Sequence, residues 1–355
     1  MKRVRVLVVD DSATSRLLLV EILRADDEIE VVGQAADGVE ALEMVKRLSP
    51  DIVTMDVQMP RLDGFAATKR IMVEAPTPIL IITSIDAQAL SISLEAIRAG
   101  ALAVQAKPVD PSAPGFDEEA RELVRQVKAM ARVKVVRHHG LEPASAPVLH
   151  PAAAAAGHDG PAQVVAIAAS TGGPAALHRI LTRLPADFPV PILVAQHMSR
   201  GFGAGFADWL DTAAPLRVKL AEGGEALKPG TVYLGVDDHH LGVSMARRVH
   251  LLTTPPVGGF RPSGSVLFQS VAAAFGRSAL AVILTGMGCD GVEGLRAIRR
   301  AGGRTIAESE ATAIVYGMPA AAVNAGLADF ILPLDDVGAA MRGMVLGTPS
   351  AQLTR

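Results

Sequence analysis

Short apolar runs recur along this chain, and one after another they stop on a polar residue and give way to helical periodicity. Val4–Val9 stops at Asp10 and Asp11, Ile52–Met55 at Asp56, Leu80–Ile82 at Thr83, and Leu102–Gln105 just before Lys107. Continuous apolar runs this short read as strands buried on both faces. Strands of that kind belong to parallel sheets covered by helices. A further strand at Ile29–Ala35 and helical stretches at Leu17–Leu23, Gly38–Leu48 and Leu90–Ala99 complete the series. Five βα units in a row predict a flavodoxin-like, doubly wound sheet, closed by a helix over Glu118–Ala131.

After that helix the pattern dissolves into Pro143-Ala-Ser-Ala-Pro147 and Pro151-Ala-Ala-Ala-Ala-Ala-Gly157, a linker by composition. Its histidines His138, His139, His150 and His158 lack the paired spacing of a metal site and read as solvated residues. A second alternation starts at Val164–Ala168, followed by helix Ala175–Leu181 and strands Ile192–Ala195, Val218–Leu220 and Thr231–Leu234. It continues through strand Val249–Thr253, helix Val266–Phe275, strand Ala279–Leu284 and helix Val292–Ala301. The expected organisation is α/β throughout: a flavodoxin-like domain over 1–132, a linker over 133–161, and a larger Rossmann-like domain over 162–355. No full helix separates Thr231–Leu234 from Val249–Thr253, so these two are expected to pair as an antiparallel edge.

Half the residues are hydrophobic and only 3% aromatic, so both cores must be aliphatic. A net charge of −3 with no extended basic face argues against nucleic-acid binding. The single cysteine, Cys289, fits a reducing compartment. The N-terminal apolar run is broken by Arg5 and stopped by two acids, too soon for a secretory core, and no apolar stretch reaches the roughly 20 residues of a membrane span. A soluble, cytoplasmic protein is expected.

The strand-end residues carry the chemistry. In a doubly wound sheet the carboxyl ends of the strands converge where ligands bind. Asp10, Asp11 and Asp56 placed together there repel one another unless a hard divalent cation such as Mg²⁺ holds them. Thr83 and Lys107 add the hydroxyl and ammonium that a phosphoryl group on Asp56 requires. This set resembles the receiver domain of bacterial response regulators over residues 3 to about 131. The resemblance implies that Asp56 accepts phosphate from a histidine kinase, with Mg²⁺ held by Asp10, Asp11 and Asp56, and Thr83 and Lys107 as switch residues. The chain has Val104 where that family often has an aromatic residue.

In the second half Ser170 ends a strand, and Thr171-Gly-Gly-Pro174 leads directly into a helix. That turn suits a nucleophile beside an oxyanion site, a helix cap or a phosphate cradle. His197 ends the next strand as a candidate general base, and Asp290 ends another strand, in Leu284-Thr-Gly-Met-Gly-Cys-Asp-Gly291, as a candidate orienting acid. The order Ser, His, Asp differs from ordinary α/β-hydrolases, and there is no Gly-x-Ser-x-Gly elbow. A competing reading takes Gly286-Met-Gly-Cys-Asp-Gly291, with Glu308 and Glu310 further on, as a dinucleotide fingerprint.

Ala169-Ser-Thr-Gly-Gly-Pro174, Gln196-His-Met198, Arg261-Pro-Ser263, Val266-Leu-Phe268, Leu284-Thr-Gly-Met-Gly288 and Tyr316-Gly-Met-Pro319 resemble the chemotaxis protein-glutamate methylesterases over roughly 162–346. That resemblance implies Ser170 as nucleophile, His197 as base, Asp290 as orienter, and Thr171 and Met287 as neighbours shaping the oxyanion site, with no cofactor there. It implies methylated chemoreceptors as substrates and deamidation of receptor glutamines; an unphosphorylated receiver that obstructs the site is a further hypothesis of ours. Ser265 stands where the family commonly has Asp, Glu308-Ser309 replaces Gln-Asp, and Val236-Asp-Asp-His-His240 replaces the usual Pro-Gly before a histidine. A non-catalytic, phosphorylation-dependent scaffold is the alternative; a transcriptional regulator would need a helix-turn-helix that the second half does not offer. Replacing Asp56 with Asn is expected to abolish phosphate labelling by a phosphodonor, and persistent labelling would contradict the acceptor assignment.

Overall fold

A computed structural model describes residues 3–84, 87–108, 110–113, 115–133, 148–149 and 160–347. The chain divides into two compact units between residues 141 and 142. The histidines assigned to the linker lie outside the described residues.

The first unit alternates β1 (Val4–Val9), α1 (Ala13–Arg24), β2 (Ile29–Ala35), α2 (Gly38–Leu48), β3 (Ile52–Met55), α3 (Gly64–Glu74), β4 (Ile79–Thr83), α4 (Ala87–Arg98), β5 (Ala103–Ala106) and α5 (Phe116–Met130). Its strands are all parallel in the order β2-β1-β3-β4-β5. This is the flavodoxin-like order, whose switch point lies between β1 and β3. Every residue of β3 and β4 is buried, which is why those stretches read as unbroken apolar runs. Local signals agree with the fold. Asp37 caps α2 by accepting from the N–H groups of Val39 and Glu40, and Glu40 accepts from the Ala36 N–H in return. Val104 of β5 packs, partly buried, against this core.

The second unit holds an eight-stranded sheet in the order β6-β15-β14-β13-β7-β8-β10-β9. Its strands are β6 (Val148–Leu149), β7 (Val164–Ala169), β8 (Ile192–Gln196), β9 (Arg217–Leu220), β10 (Thr231–Leu234), β13 (Ala279–Ile283), β14 (Arg304–Glu308) and β15 (Phe330–Leu332). Only β6, which lies in the stretch read as linker, runs antiparallel, against β15 at the sheet edge. The helices are α6 (Gly173–Leu181), α7 (Gly203–Ala213), α8 (Gly264–Phe275), α9 (Val292–Arg300), α10 (Met318–Asn324) and α11 (Leu334–Val345). β11 (His240–Val243) and β12 (Val249–Leu252) form a separate antiparallel hairpin.

One expected pairing is wrong. Thr231–Leu234 does not pair with Val249–Leu252; it lies inside the sheet, parallel to β8 on one side and β9 on the other. The true partner of β12 begins at His240, inside the Asp-Asp-His-His run whose polarity hid a four-residue strand. All four residues of β11 are buried, His240 completely.

Helices α8 and α9 cross closely because Gly294 has no side chain. A Cβ there would lie 2.5 Å from Phe268 Cβ and 2.7 Å from the Ser265 carbonyl. Overpacking of this kind costs about 1–3 kcal/mol. Gly294→Ala should therefore lower stability by about that amount in urea unfolding, although alanine is the better helix former. An unchanged midpoint would contradict the close crossing.

Candidate active site

The catalytic-site candidates of the second unit sit on neighbouring elements. β7 and β8 pair through Ala169 and Gln196, and Ser170 and His197 are the next residue on each. The Ser170 N–H donates to the Thr285 carbonyl at 3.0 Å, and the His197 N–H to the Ala169 carbonyl at 2.9 Å. After Ser170 the chain turns sharply. The Gly173 N–H donates to the Ser170 carbonyl at 2.8 Å, and Gly172 adopts φ 80°, a left-handed conformation natural to glycine. A Cβ on Gly286 would lie 2.7 Å from that of Ser170, so Gly286 lets the Thr285–Gly288 loop press against the serine. Thr171 is buried, with its carbonyl accepting from Thr285 Oγ1 at 2.8 Å, and Met287 is half-buried on the same loop.

Asp290 is not at a strand end, as its motif suggested; it closes the loop that runs from β13 to α9. Its Oδ2 lies 2.9 Å from His197 Nε2 and accepts from the Gly264 N–H at 2.6 Å. Its Oδ1 accepts from Ser263 Oγ at 2.8 Å, the Gly291 N–H at 2.8 Å and the Ser265 N–H at 3.1 Å. Burial pushes this carboxyl up, but the hydrogen bonds from His197, Ser263 and Gly264 outweigh it and hold the group well below the usual carboxylate range. A permanent carboxylate fixes the imidazole proton on Nε2, and neutral Nδ1 becomes the basic nitrogen. Nδ1 is buried and has no hydrogen-bond partner among the described residues.

Phe260 and Gly264 carried no functional signal in the sequence, and Ser263, Ser265 and Glu308 carried none that pointed to the contacts they make. Ser263 and Gly264 begin α8, and Ser263 also caps that helix. Ser265 is buried and accepts from the Gly291 N–H, so this departure faces the Asp290 loop. Phe260 lies flat on His197, ring centroids 3.8 Å apart and planes 3° apart. Glu308 is fully buried at the end of β14. It accepts from the Thr285 N–H at 2.8 Å and from Thr312 Oγ1 at 3.1 Å.

The alternative readings end elsewhere. With Glu308 turned inward and the Gly291 N–H occupied by Ser265 and Asp290, the loop does not present the donors and acid of a dinucleotide fingerprint. In the Asp237–His240 stretch, Asp237 accepts from the Gly201 N–H, Asp238 pairs with Arg200 and Arg261, and His240 bridges the Ser263 N–H and the Pro255 carbonyl.

In the first unit Asp10, Asp11 and Asp56 bring carboxylate oxygens within 4.8 Å of one another. Lys107 Nζ lies 2.8 Å from Asp10 and 2.7 Å from Asp56. Burial holds the Asp56 carboxyl above its ordinary range despite Lys107. The Lys107 ammonium is desolvated too, but its hydrogen bonds to Asp10 and Asp56 leave it more basic than usual. Thr83 is fully buried and its hydroxyl lacks a hydrogen-bond partner among the described residues. Clustered carboxylates beside an unpartnered hydroxyl suit Mg²⁺ and a phosphoryl group.

Fold and site together define a response regulator whose output domain is an α/β hydrolase. The response regulator receiver domain family matches residues 6–113 and the CheB methylesterase family residues 165–341. The protein-glutamate methylesterase/protein-glutamine glutaminase 4 of Myxococcus xanthus is 52% identical over 97% of this chain and 98% of its own length. The corresponding protein 3 of Anaeromyxobacter dehalogenans is 55% identical over 94% and 97%. The crystal structure of the Thermotoga maritima CheB methylesterase catalytic domain, 38% identical, superposes with a TM-score of 0.51 over 52% of this chain and 99% of that one. The chain belongs to the protein-glutamate methylesterase/protein-glutamine glutaminase family.

Glu308 generates a stability prediction. Burial raises its carboxyl to about 7 from an ordinary 4.5. The folded chain therefore keeps a proton that the unfolded chain releases, so ionising Glu308 opposes folding. The cost is absent below 4.5 and complete above 7, on the order of 3 kcal/mol at about 1.4 kcal/mol per pH unit. Unfolding of wild type and Glu308→Gln at pH 5 and pH 8 should show the variant gaining relative stability at the higher pH. A gap that does not change with pH would contradict this.

Proposed function

We propose that this protein hydrolyses glutamate methyl esters on the cytoplasmic helices of chemoreceptors, and deamidates receptor glutamines, through Ser170, His197 and Asp290. The observation that carries the reading is the Asp290–His197 pair, which leaves one buried imidazole nitrogen, without a partner among the described residues, one strand away from Ser170. His197 Nδ1 takes the Ser170 proton as Oγ attacks the glutamyl carbonyl. The backbone N–H groups of Thr171 and Met287 stabilise the oxyanion. Collapse expels methanol, or ammonia from an amide, with the proton returned by His197. Water, deprotonated by the same nitrogen, then releases glutamate and restores the serine.

Control lies in the receiver. Asp56 is the phosphate acceptor, and a chemotaxis histidine kinase is the donor. Asp10, Asp11 and Asp56 would hold Mg²⁺, which when bound would supply positive charge against the carboxylates and a phosphoryl group. Lys107 and Thr83 then bind the phosphoryl oxygens and carry the switch. We place the receiver at 1–132, the linker at 133–161 and the methylesterase domain at 162–355; the division of the compact units at 141/142 supports a break in that region. A cytoplasmic location agrees with the absence, among the described residues, of a helix long and apolar enough to cross a membrane.

Methanol release from methylated receptor membranes tests the reading. Wild type should release methanol, faster with a phosphodonor, and Ser170→Ala should lose on the order of 10⁴-fold or more. Equal release by the two proteins would turn the second domain into a scaffold.

A further inference from the structure

His197 is gripped on an edge and on a face, and one segment, residues 257–264, serves both grips. At its far end Ser263 and Gly264 hold Asp290, which holds Nε2. At its near end Gly258 and Gly259, with φ 60° and 87°, form a two-residue turn closed by reciprocal Val257–Phe260 hydrogen bonds of 3.1 Å. Positive φ at both central positions marks a type I′ hairpin, which glycine pairs favour. Neither glycine would bring a Cβ within 4 Å of another residue. The two glycines are therefore there for the turn and not for packing. Between the ends, Arg261 reaches Asp238 at 3.1 Å and the Thr254 carbonyl at 3.3 Å, which pins the segment to its surroundings.

Phe260 emerges from this hairpin and lies parallel to the imidazole. Asp290 alone would leave the ring free to rotate about its Nε2 hydrogen bond, since a single contact does not fix a plane. A flat ring against one face removes that rotation. We propose that Phe260 is a positioning residue of the hydrolytic reaction: the Gly258-Gly259 hairpin presses its ring on His197 and fixes the plane in which Nδ1 meets the nucleophile. This rests on the reading of His197 as the base. A misplaced catalytic group costs up to about 100-fold in rate, and aromatic stacking depends on a flat ring rather than on apolar volume.

The test measures kcat and KM for methanol release from methylated receptor membranes by full-length Phe260→Ala, Phe260→Leu, Phe260→Tyr and His197→Ala, with thermal unfolding as the control for folding. Phe260→Ala and Phe260→Leu should lose about 10- to 100-fold in kcat with KM within about twofold of wild type. Phe260→Tyr, which keeps the flat ring, should return to within about threefold. Replacing both Gly258 and Gly259 with valine, in an exposed turn that carries no core packing, should reproduce the kcat loss. Wild-type kcat in Phe260→Leu, or a loss confined to KM, would overturn the proposal while leaving the triad intact. Undiminished activity in His197→Ala would instead remove the base reading itself, and the proposal with it.

Discussion

Asp290 is a buried carboxylate with five donors aimed at it: Ser263 Oγ, three backbone N–H groups from Gly264, Ser265 and Gly291, and His197 Nε2. Desolvation of a lone charge at this position would make the acid neutral. The donors reverse that outcome, and the rest of the site follows from it. An ionised Asp290 fixes the tautomer of His197, and the tautomer decides which nitrogen is basic. The start of α8 and the loop into α9 converge on this one side chain, so helix packing and site geometry are the same problem. Gly264 and Gly294 are the positions where a single methyl group would push that arrangement apart.

The receiver treats its acid in the opposite way. Asp56 is buried beside the Asp10 carboxylate, and burial outweighs Lys107 and the Val57 N–H, so its proton is held more tightly than usual. That is an arrangement short of positive charge, suited to a transient cation and phosphoryl group rather than to permanent ionisation. In one chain the same residue type is therefore held ionised by its donors at Asp290 and holds its proton more tightly at Asp56. Environment, not identity, separates the two roles.

Much of this was legible because buried parallel strands cannot hide. Val4–Val9, Ile52–Met55, Val164–Ala169 and Ile192–Gln196 are continuous apolar runs, and the residue that ends each run lies where the sheet places its chemistry. Asp10, Asp56, Ser170 and His197 were therefore readable, whereas Asp290 was readable only as part of a motif. What stayed hidden depends on contacts between distant segments. β11 begins with His240, the last residue of an Asp-Asp-His-His run, and contains a glycine, so it carries no strand pattern, and its burial comes from helix α8 packing over it. Phe260 is an ordinary aromatic after two glycines until the fold lays it on His197. Glu308, named in the sequence only as an acid of the competing dinucleotide reading, turns inward and accepts from the Thr285 N–H just beyond β13.

In the proposed reaction Ser170, His197 and Asp290 act as one unit. The most direct test compares methanol-release rates of Ser170→Ala, Asp290→Asn and the double variant under saturating phosphodonor. If the three residues form one relay, the double variant is no slower than Ser170→Ala, because Asp290 has nothing left to orient. Losses that multiply in the double variant would contradict the relay and assign Asp290 a role independent of the serine.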